Sequence, residues 1–190
     1  MREANIEEVL RAAYRCFCTH GFAATSVTEI AQEAGLSRPT IYRHVGGKEQ
    51  AETLLIQRIL EHQLALARTA AGAETGIADR VCGVLGTKID LALRLKADSP
   101  RHAEEFLAGT SVRQADAVQE FVGGLGDLLT GILTPTGNPD IPGLVDVLLT
   151  YARGLESDLA DPATTHARLA SAVRLVIGER ADPIDQGARP

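Results

Sequence analysis

The chain has 190 residues, of which 45% are hydrophobic and 23% are charged, and its formal net charge is −6. These values are typical of a folded globular protein with one or two domains. They argue against a non-specific architectural DNA protein, which needs a basic surface, and no apolar run approaches the length of about 18 residues that a membrane helix requires.

The negative charge is unevenly distributed, because residues 1–60 hold equal numbers of acidic and basic side chains and the whole excess falls in residues 61–190. Met1 leads into charged residues and not into an apolar secretion segment. The three cysteines form no even-numbered disulfide framework. We therefore expect a cytoplasmic protein without a membrane segment.

The apolar residues recur with a helical period along the whole chain, and no strand-like alternation is found. A first helix is predicted over residues 4–20, and Gly21 suits a left-handed C-cap after it. Phe22 is expected to fold back onto the core. The apolar face of this helix consists of Ile6, Val9 or Leu10, Ala13 and Phe17.

Two short helices are predicted next. Ser26 and Glu29 have the spacing of a capping box, and Gly35 ends the helix that they begin. Ser37 caps the second short helix, whose first turn accommodates Pro39. Two helices joined by a tight glycine turn are the layout of a helix-turn-helix, whose second helix enters the major groove of DNA.

The second short helix is predicted to expose Arg38, Thr40, Arg43 and His44. Arginine can bind guanine through two hydrogen bonds, and threonine can meet a base edge or a thymine methyl group. Tyr42, His44 and Lys48 are placed to hold phosphates, and the two helix N-termini add backbone donors. The alternative is that these are surface charges and a core tyrosine without a ligand.

The stretch from Thr25 to Lys48 resembles the tetracycline-repressor family. The residues that carry the resemblance are Thr25-Ser26-Val27-Thr28-Glu29-Ile30-Ala31, Ala34-Gly35-Leu36-Ser37, Thr40-Ile41-Tyr42-Arg43-His44 and Lys48. The resemblance implies a three-helix DNA-binding domain, a connecting helix and a larger helical domain for ligand binding and dimerisation. Two departures are Val45, where the family often has an aromatic residue, and Gly46-Gly47, where a stiffer pair is usual.

The predicted contacts with DNA combine the positions that match the family with the caps and first turns of the two short helices. They are Ser26, Thr28, Ser37, Arg38, Pro39, Thr40, Tyr42, Arg43, His44 and Lys48.

The rest of the chain predicts a helical bundle. Further helices are expected near residues 48–68, 76–97, 101–109, 111–133, 142–159 and 162–179, separated by proline and glycine. The predicted fold is therefore all-α with about nine helices. Its parts are a DNA-binding domain over 1–47, a ligand-binding and dimerisation domain over 48–179, and a flexible tail over 180–190.

The last two long helices have wide apolar faces that suit either the core of one chain or an interface between two. The resemblance favours a two-fold interface between two copies of the chain. Its predicted members are Leu144, Leu148, Leu155, Leu169, Val173 and Val176.

The middle helices are rich in glycine, so they either bend around a ligand cavity or pack loosely. An apolar cavity with few polar groups suggests a hydrophobic small molecule. Its predicted lining is His62, Leu66, Leu91, His102, Phe106, Phe121, Leu125 and Tyr151, with Gln114 as a further polar candidate.

These patterns predict a sequence-specific DNA-binding transcriptional repressor that a small, largely hydrophobic effector releases from a palindromic operator. We expect the effector to change the tilt of the helix over 48–68. The alternative is a helical carrier or enzyme with a helix-turn-helix remnant. The sequence shows no catalytic constellation, metal spacing or cofactor motif, so no enzymatic activity, metal or cofactor is predicted.

Overall fold

A computed structural model describes residues 6–103 and 112–178. Every regular element in these ranges is helical, which confirms the all-α prediction. The eight α-helices are α1 (Ile6–Ala24), α2 (Val27–Ala34), α3 (Arg38–Val45), α4 (Lys48–Ala71), α5 (Ile77–Asp98), α6 (Val112–Leu133), α7 (Ile141–Ser157) and α8 (Pro162–Ile177). A 3₁₀ turn, Thr134–Thr136, separates α6 from α7. None of these helices combines the length and hydrophobicity needed to cross a bilayer.

The predicted helix over 101–109 falls outside the described residues except for its first three positions, and the predicted tail over 180–190 falls wholly outside them. A ninth helix therefore stays a prediction. The other predicted helices agree with the structure to within a few residues at each end.

Helices α1 to α3 pack around one core because their apolar residues recur on one face each. Phe17 of α1, Ile30 of α2 and Ile41 of α3 are fully buried. The first turns of α4 add Ala51 and Leu55 to the same cluster. The start of α4 is thereby anchored in the three-helix core.

Gly21 differs from the cap that the sequence predicts. Its φ of 77° is positive as expected, but its ψ of 160° lies outside the left-handed helical region. The glycine instead interrupts α1 near its end, and the chain resumes a helical turn up to Ala24. Phe22 then folds back as predicted, and its ring centroid lies 5.5 Å from that of Phe17.

The chain forms two compact units. One contains residues 1–65 and 91–123, and the other contains residues 66–90 and 124–190. Helices α4, α5 and α6 each run from one unit into the other, so the two units share three helices. The predicted boundary between residues 47 and 48 stays a prediction.

The second unit packs α7 against α8 and the first part of α5. Its core includes the fully buried side chains of Leu85, Leu129 and Leu148. Lys88 forms a largely buried ion pair with Glu156, which ties α5 to α7.

Candidate nucleic-acid interface

Helix α3 is positioned by its buried face. Ile41 and Val45 are 0% and 3% exposed, so they fix the helix against the three-helix core. Ser37 begins the helix by accepting a hydrogen bond from the Thr40 N–H at 3.3 Å, and Gly46 ends it in the left-handed conformation. These constraints leave the opposite face of α3 towards solvent.

The exposed face of α3 is cationic. Arg38, Tyr42 and Arg43 are exposed, and the tyrosine retains 49% of its accessible surface. The helix contains no acidic residue, and neither arginine forms an ion pair with any residue in the described ranges. Both guanidinium groups are thus available to an anionic partner, as a DNA-contacting helix requires.

Helix α2 holds the predicted capping box. The Ser26 N–H donates to the Glu29 carboxylate at 2.7 Å, and the Glu29 N–H donates to Ser26 Oγ at 3.3 Å. The hydrogen bonds that the Ser26 N–H and hydroxyl donate to the Glu29 carboxylate keep the pKa of Glu29 below its usual value. The Ser26 hydroxyl is occupied within the cap, whereas Thr28 is exposed beside it.

Ser37, Pro39 and Thr40 form the first turn of α3. Ser37 and Pro39 are exposed, and Thr40 is half-buried. The hydroxyls of Ser37 and Thr40 lie 2.8 Å apart and hydrogen-bond to each other. The backbone of this turn therefore faces solvent, but its two hydroxyls already have a partner.

Lys48 has a structural role that the sequence did not reveal. Its Nζ donates to the carbonyl oxygens of Phe22 and Ala23 at 3.1 and 3.4 Å. The same ammonium lies 4.4 Å from the centre of the Phe22 ring. The cation therefore satisfies carbonyls near the end of α1 and joins α4 to that helix.

His44 is less accessible than predicted. Its side chain is half-buried, and its Nε2 is buried without a hydrogen-bond partner among the described residues. The predicted DNA contacts of His44 and Lys48 stay predictions, and in this conformation both side chains face the protein.

The two departures from the family pattern have structural explanations. Val45 is nearly fully buried and belongs to the core cluster. Gly46 and Gly47 have φ values of 73° and 144°, which residues with a Cβ rarely adopt. The link between α3 and α4 therefore depends on both glycines.

The predicted ligand residues are not all in one place. His62 and Leu91 line the same cleft of about 310 Å³ in the first unit, whereas Phe121 lines a separate surface depression. Leu66 is 41% exposed and Leu125 is fully buried.

Four candidates remain, which are three members of the predicted ligand set and the additional polar candidate Gln114. Tyr151 donates a hydrogen bond to the Arg168 carbonyl at 3.3 Å. Gln114 is buried, and Phe106 lies outside the described residues. His102 lies against Gly21, where a Cβ would come within 2.9 Å of its ring.

The end of α5 is attached to the second half of α1 by contacts that sequence reasoning missed. The Tyr14 hydroxyl donates to Asp98 at 2.5 Å, and Ser99 Oγ donates to the Cys18 carbonyl at 3.0 Å. Burial and the hydrogen bond to Asp98 raise the pKa of Tyr14. We call these two hydrogen bonds, with the His102–Gly21 contact, the α1–α5 latch.

Most of the predicted dimer residues pack inside the single chain. Leu148, Leu155, Leu169 and Val173 are at most 6% exposed, so they are buried within the second unit. Leu144 and Val176 are half-buried. For the four buried side chains, this arrangement agrees with the alternative that the apolar faces of the last two helices form the core of one chain.

The outer side of α7 and α8 carries other apolar residues. Val147, Tyr151 and Leu175 are 50%, 37% and 82% exposed. They account for three of the five large hydrophobic side chains that are exposed in the described part of the chain.

Comparison with known proteins agrees with this geometry. Residues 9–50, which include α2 and α3, match the family of bacterial regulatory proteins called tetR. The N-terminal part of the chain is therefore similar to the TetR family. The TetR-family match ends at residue 50, within the first turn of α4.

One curated relative is the HTH-type transcriptional repressor AcnR of Corynebacterium efficiens. It is 32% identical over 79 residues, which span 42% of this chain and 39% of that protein. The match thus covers about two fifths of either chain.

Solved structures of bacterial regulators share the fold. The fatty acid degradation regulator FadR from Bacillus halodurans superimposes with a TM-score of 0.71 at 16% identity, covering 96% of this chain and all of that one. A TetR/AcrR-family regulator from Thermobifida fusca has a TM-score of 0.70 at 18% identity, covering 93% and 98%. At these identities the likeness concerns the fold of the whole chain.

Proposed function

We propose that this protein is a sequence-specific DNA-binding transcriptional regulator that reads its operator with α3. The observation that carries the proposal is the exposed cationic face of α3, with Arg38 and Arg43 unpaired among the described residues and Ile41 and Val45 holding the helix from behind. The match of residues 9–50 to the TetR family supports it, as does the partial match to a transcriptional repressor.

We further propose that the regulator is a homodimer that represses its targets. A two-fold dimer presents two α3 helices to a palindrome whose half-sites lie about 34–36 Å apart. The exposed side chains of Val147, Tyr151 and Leu175 support an interface on the outer side of α7 and α8.

Release from the operator is proposed to depend on a small effector. The α1–α5 latch supports this mechanism, because Tyr14 and Cys18 belong to the helix that packs directly against α2 and α3. A ligand that binds one position of α5 better than another would shift α1 and with it the recognition helix. A full switch from 1:99 to 99:1 needs about 10⁴-fold preferential binding.

Selection of bound duplexes from a random DNA pool tests the function directly, and we expect a palindrome. Replacing Arg43 by Ala should then weaken binding of the selected duplex by about 1–3 kcal/mol, which is about 5- to 150-fold. Its side chain is exposed, so the thermal midpoint should not change.

The matched control for this substitution is Arg68→Ala, an exposed arginine on α4. It should leave affinity for the selected duplex unchanged. Failure of the wild-type protein to enrich any duplex would overturn the proposed function, and full affinity in Arg43→Ala would remove this residue from the interface.

A further inference from the structure

The cleft of about 310 Å³ in the first unit lies between α1, α4 and α5. Its volume falls within the range of small-molecule sites. Apolar side chains from all three helices line its walls: Leu10 from α1, Leu55 and Ile59 from α4, and Leu91 and Leu95 from α5. We call it the α1–α4–α5 cleft. It offers an apolar surface to a ligand that contacts α1 of the three-helix core and α5 together.

A buried amide in this cleft has an unused hydrogen-bond acceptor. Gln63 is 1% exposed and is among the residues that line the cleft. Its Oε1 is buried and has no hydrogen-bond partner among the described residues. Buried polar atoms in native proteins are almost always paired, so this oxygen indicates a donor beyond those that the described residues provide.

The polar side chains of the cleft leave a positive charge without a counter-ion. Arg11, Arg58 and Arg94 line it. Arg58 has carboxylates 3.8 and 3.9 Å away, from Glu7 and Glu61.

The two remaining arginines are free to bind an anion. Asp98 accepts the Tyr14 hydroxyl, whereas Arg11 and Arg94 form no ion pair with a residue in the described ranges. Because a guanidinium binds a planar or tetrahedral anion through several donors, these side chains suit an acidic group of a ligand.

We propose that the α1–α4–α5 cleft is the effector site and that it binds a small organic anion with an apolar body. The ligand places its apolar part against Leu10, Ile59 and Leu91, donates a hydrogen bond to Gln63 Oε1, and directs its anionic group to Arg11 and Arg94. The regulatory consequence rests on the proposed function, whereas binding itself does not.

Two fluorescent probes separate these contacts. 1-Anilinonaphthalene-8-sulfonate has an aromatic body, one N–H donor and a sulfonate. N-Phenyl-1-naphthylamine has the same body and donor but no charge. Titration of the wild-type protein with each probe should give saturable binding, and the sulfonate should bind more tightly.

The variants should change the affinities for the two probes to different extents. The double variant Arg11→Gln and Arg94→Gln should weaken binding of the sulfonate about tenfold and of the neutral probe less than twofold. Gln63→Met should weaken both probes about fivefold. It should not lower the thermal midpoint, because it replaces an unpaired buried amide with an apolar side chain of similar size.

Arg68→Gln, on α4 outside the cleft, is the charge-matched control and should change neither affinity. Leu91→Trp, which narrows the cleft from α5, should weaken both probes and provides a second test if Gln63→Met does not fold. Equal loss of the two probes in the double arginine variant would overturn the proposal. So would an effect of Arg68→Gln as large as that of the double variant, or unchanged binding in Gln63→Met.

The two proposals fail in different ways. Insensitivity of the probes to the cleft variants, in a protein that still selects a palindrome, would reject the effector site alone. A protein that binds the sulfonate as described but enriches no duplex would reject the regulatory function and leave the cleft as a ligand site.

Discussion

Individual residues decide whether the end of α1 can meet α5. Gly21 combines a φ of 77° with a close approach, since an added Cβ would come within 2.9 Å of His102 Nδ1. A side chain at this position therefore faces two separate penalties, backbone strain and a steric clash.

Gly21→Ala should lower the free energy of unfolding by about 1–3 kcal/mol through strain, with a further loss from the clash. Adding His102→Ala to this variant removes the ring, so it should recover only the part of the free energy of unfolding that the clash costs. Urea unfolding of the wild type, the two single variants and the double variant measures the contributions of backbone strain and of the clash separately.

The control for this cycle is Gly123→Ala in α6, where an added Cβ meets nothing within 4 Å. It should be neutral or stabilising by up to about 1 kcal/mol, because alanine favours a helix. If the double variant at Gly21 and His102 is as stable as His102→Ala alone, backbone strain at Gly21 is absent.

At the scale of the helix, the N-termini of α2 and α8 are stabilised by ionised carboxylates. Hydrogen bonds from Ser26 hold the pKa of Glu29 below 4.5, and hydrogen bonds from Thr164 hold the pKa of Asp161 below 3.8. In each case the folded state favours the carboxylate, so its contribution to stability is present above the unfolded-state pKa. That contribution is lost as the pH falls through the lower folded-state pKa.

Glu29→Gln combined with Asp161→Asn keeps the acceptor oxygens but removes both charges. The double variant should be less stable than the wild type at pH 7, and the difference should shrink towards zero as the pH falls from about 5 to about 2. Asp127→Asn, on an exposed position of α6, is the matched control and should show no such trend. A difference that stays constant with pH would show that the caps act without their charge.

The α1–α5 latch is also an element-scale device. Ser99 is 0% exposed, and its hydroxyl donates to the Cys18 carbonyl. Ser99→Ala should lower the free energy of unfolding by about 1 kcal/mol. If the latch transmits the effect of ligand binding to α3, Ser99→Ala should also reduce the effector-induced loss of operator affinity. Fluorescence anisotropy with the sulfonate probe as effector measures this loss.

Thr19→Ala is the control for the latch, because the only partner of the Thr19 hydroxyl among the described residues is the Arg15 carbonyl within α1. An unchanged response to the effector in Ser99→Ala, together with a lowered stability, would limit the latch to a structural role.

The accuracy of the sequence predictions depended on how far apart in the chain the interacting residues lie. The capping box of Ser26 and Glu29 and the buried positions of Phe17, Ile30 and Ile41 follow from local spacing, and the structure contains all of them. These signals span one or a few helical turns, so the sequence carries them directly.

Contacts between distant residues were not predictable in this way. Lys48 reaches the carbonyl of Phe22 across 26 positions, and Ser99 reaches Cys18 across 81. The unpaired acceptor of Gln63 also depends on which helices surround it. A lysine or glutamine in a helix gives no local sign of such a partner, because helix packing selects it.

For the whole molecule, the proposed dimer must use surfaces that the single chain leaves exposed. Leu148, Leu155, Leu169 and Val173 are already covered, whereas Val147 and Leu175 are half and four-fifths exposed. A stable interface buries about 1,200–2,000 Å² in total, with an apolar centre. We therefore expect Val147 and Leu175 to lie within that centre.

Val147→Glu and Leu175→Glu should each convert the dimer to monomers at micromolar concentration, because a carboxylate buried against apolar groups costs several kcal/mol, or about 10²-fold or more in dissociation constant. Sedimentation velocity measures the association, and circular dichroism should show unchanged helix content. Affinity for the palindrome should fall as the dimer is lost. Affinity for a single half-site should stay as weak as it is in the wild type. Leu66→Glu, at a leucine on α4 that is 41% exposed, should remain dimeric. Dimers that persist in both variants would place the interface elsewhere.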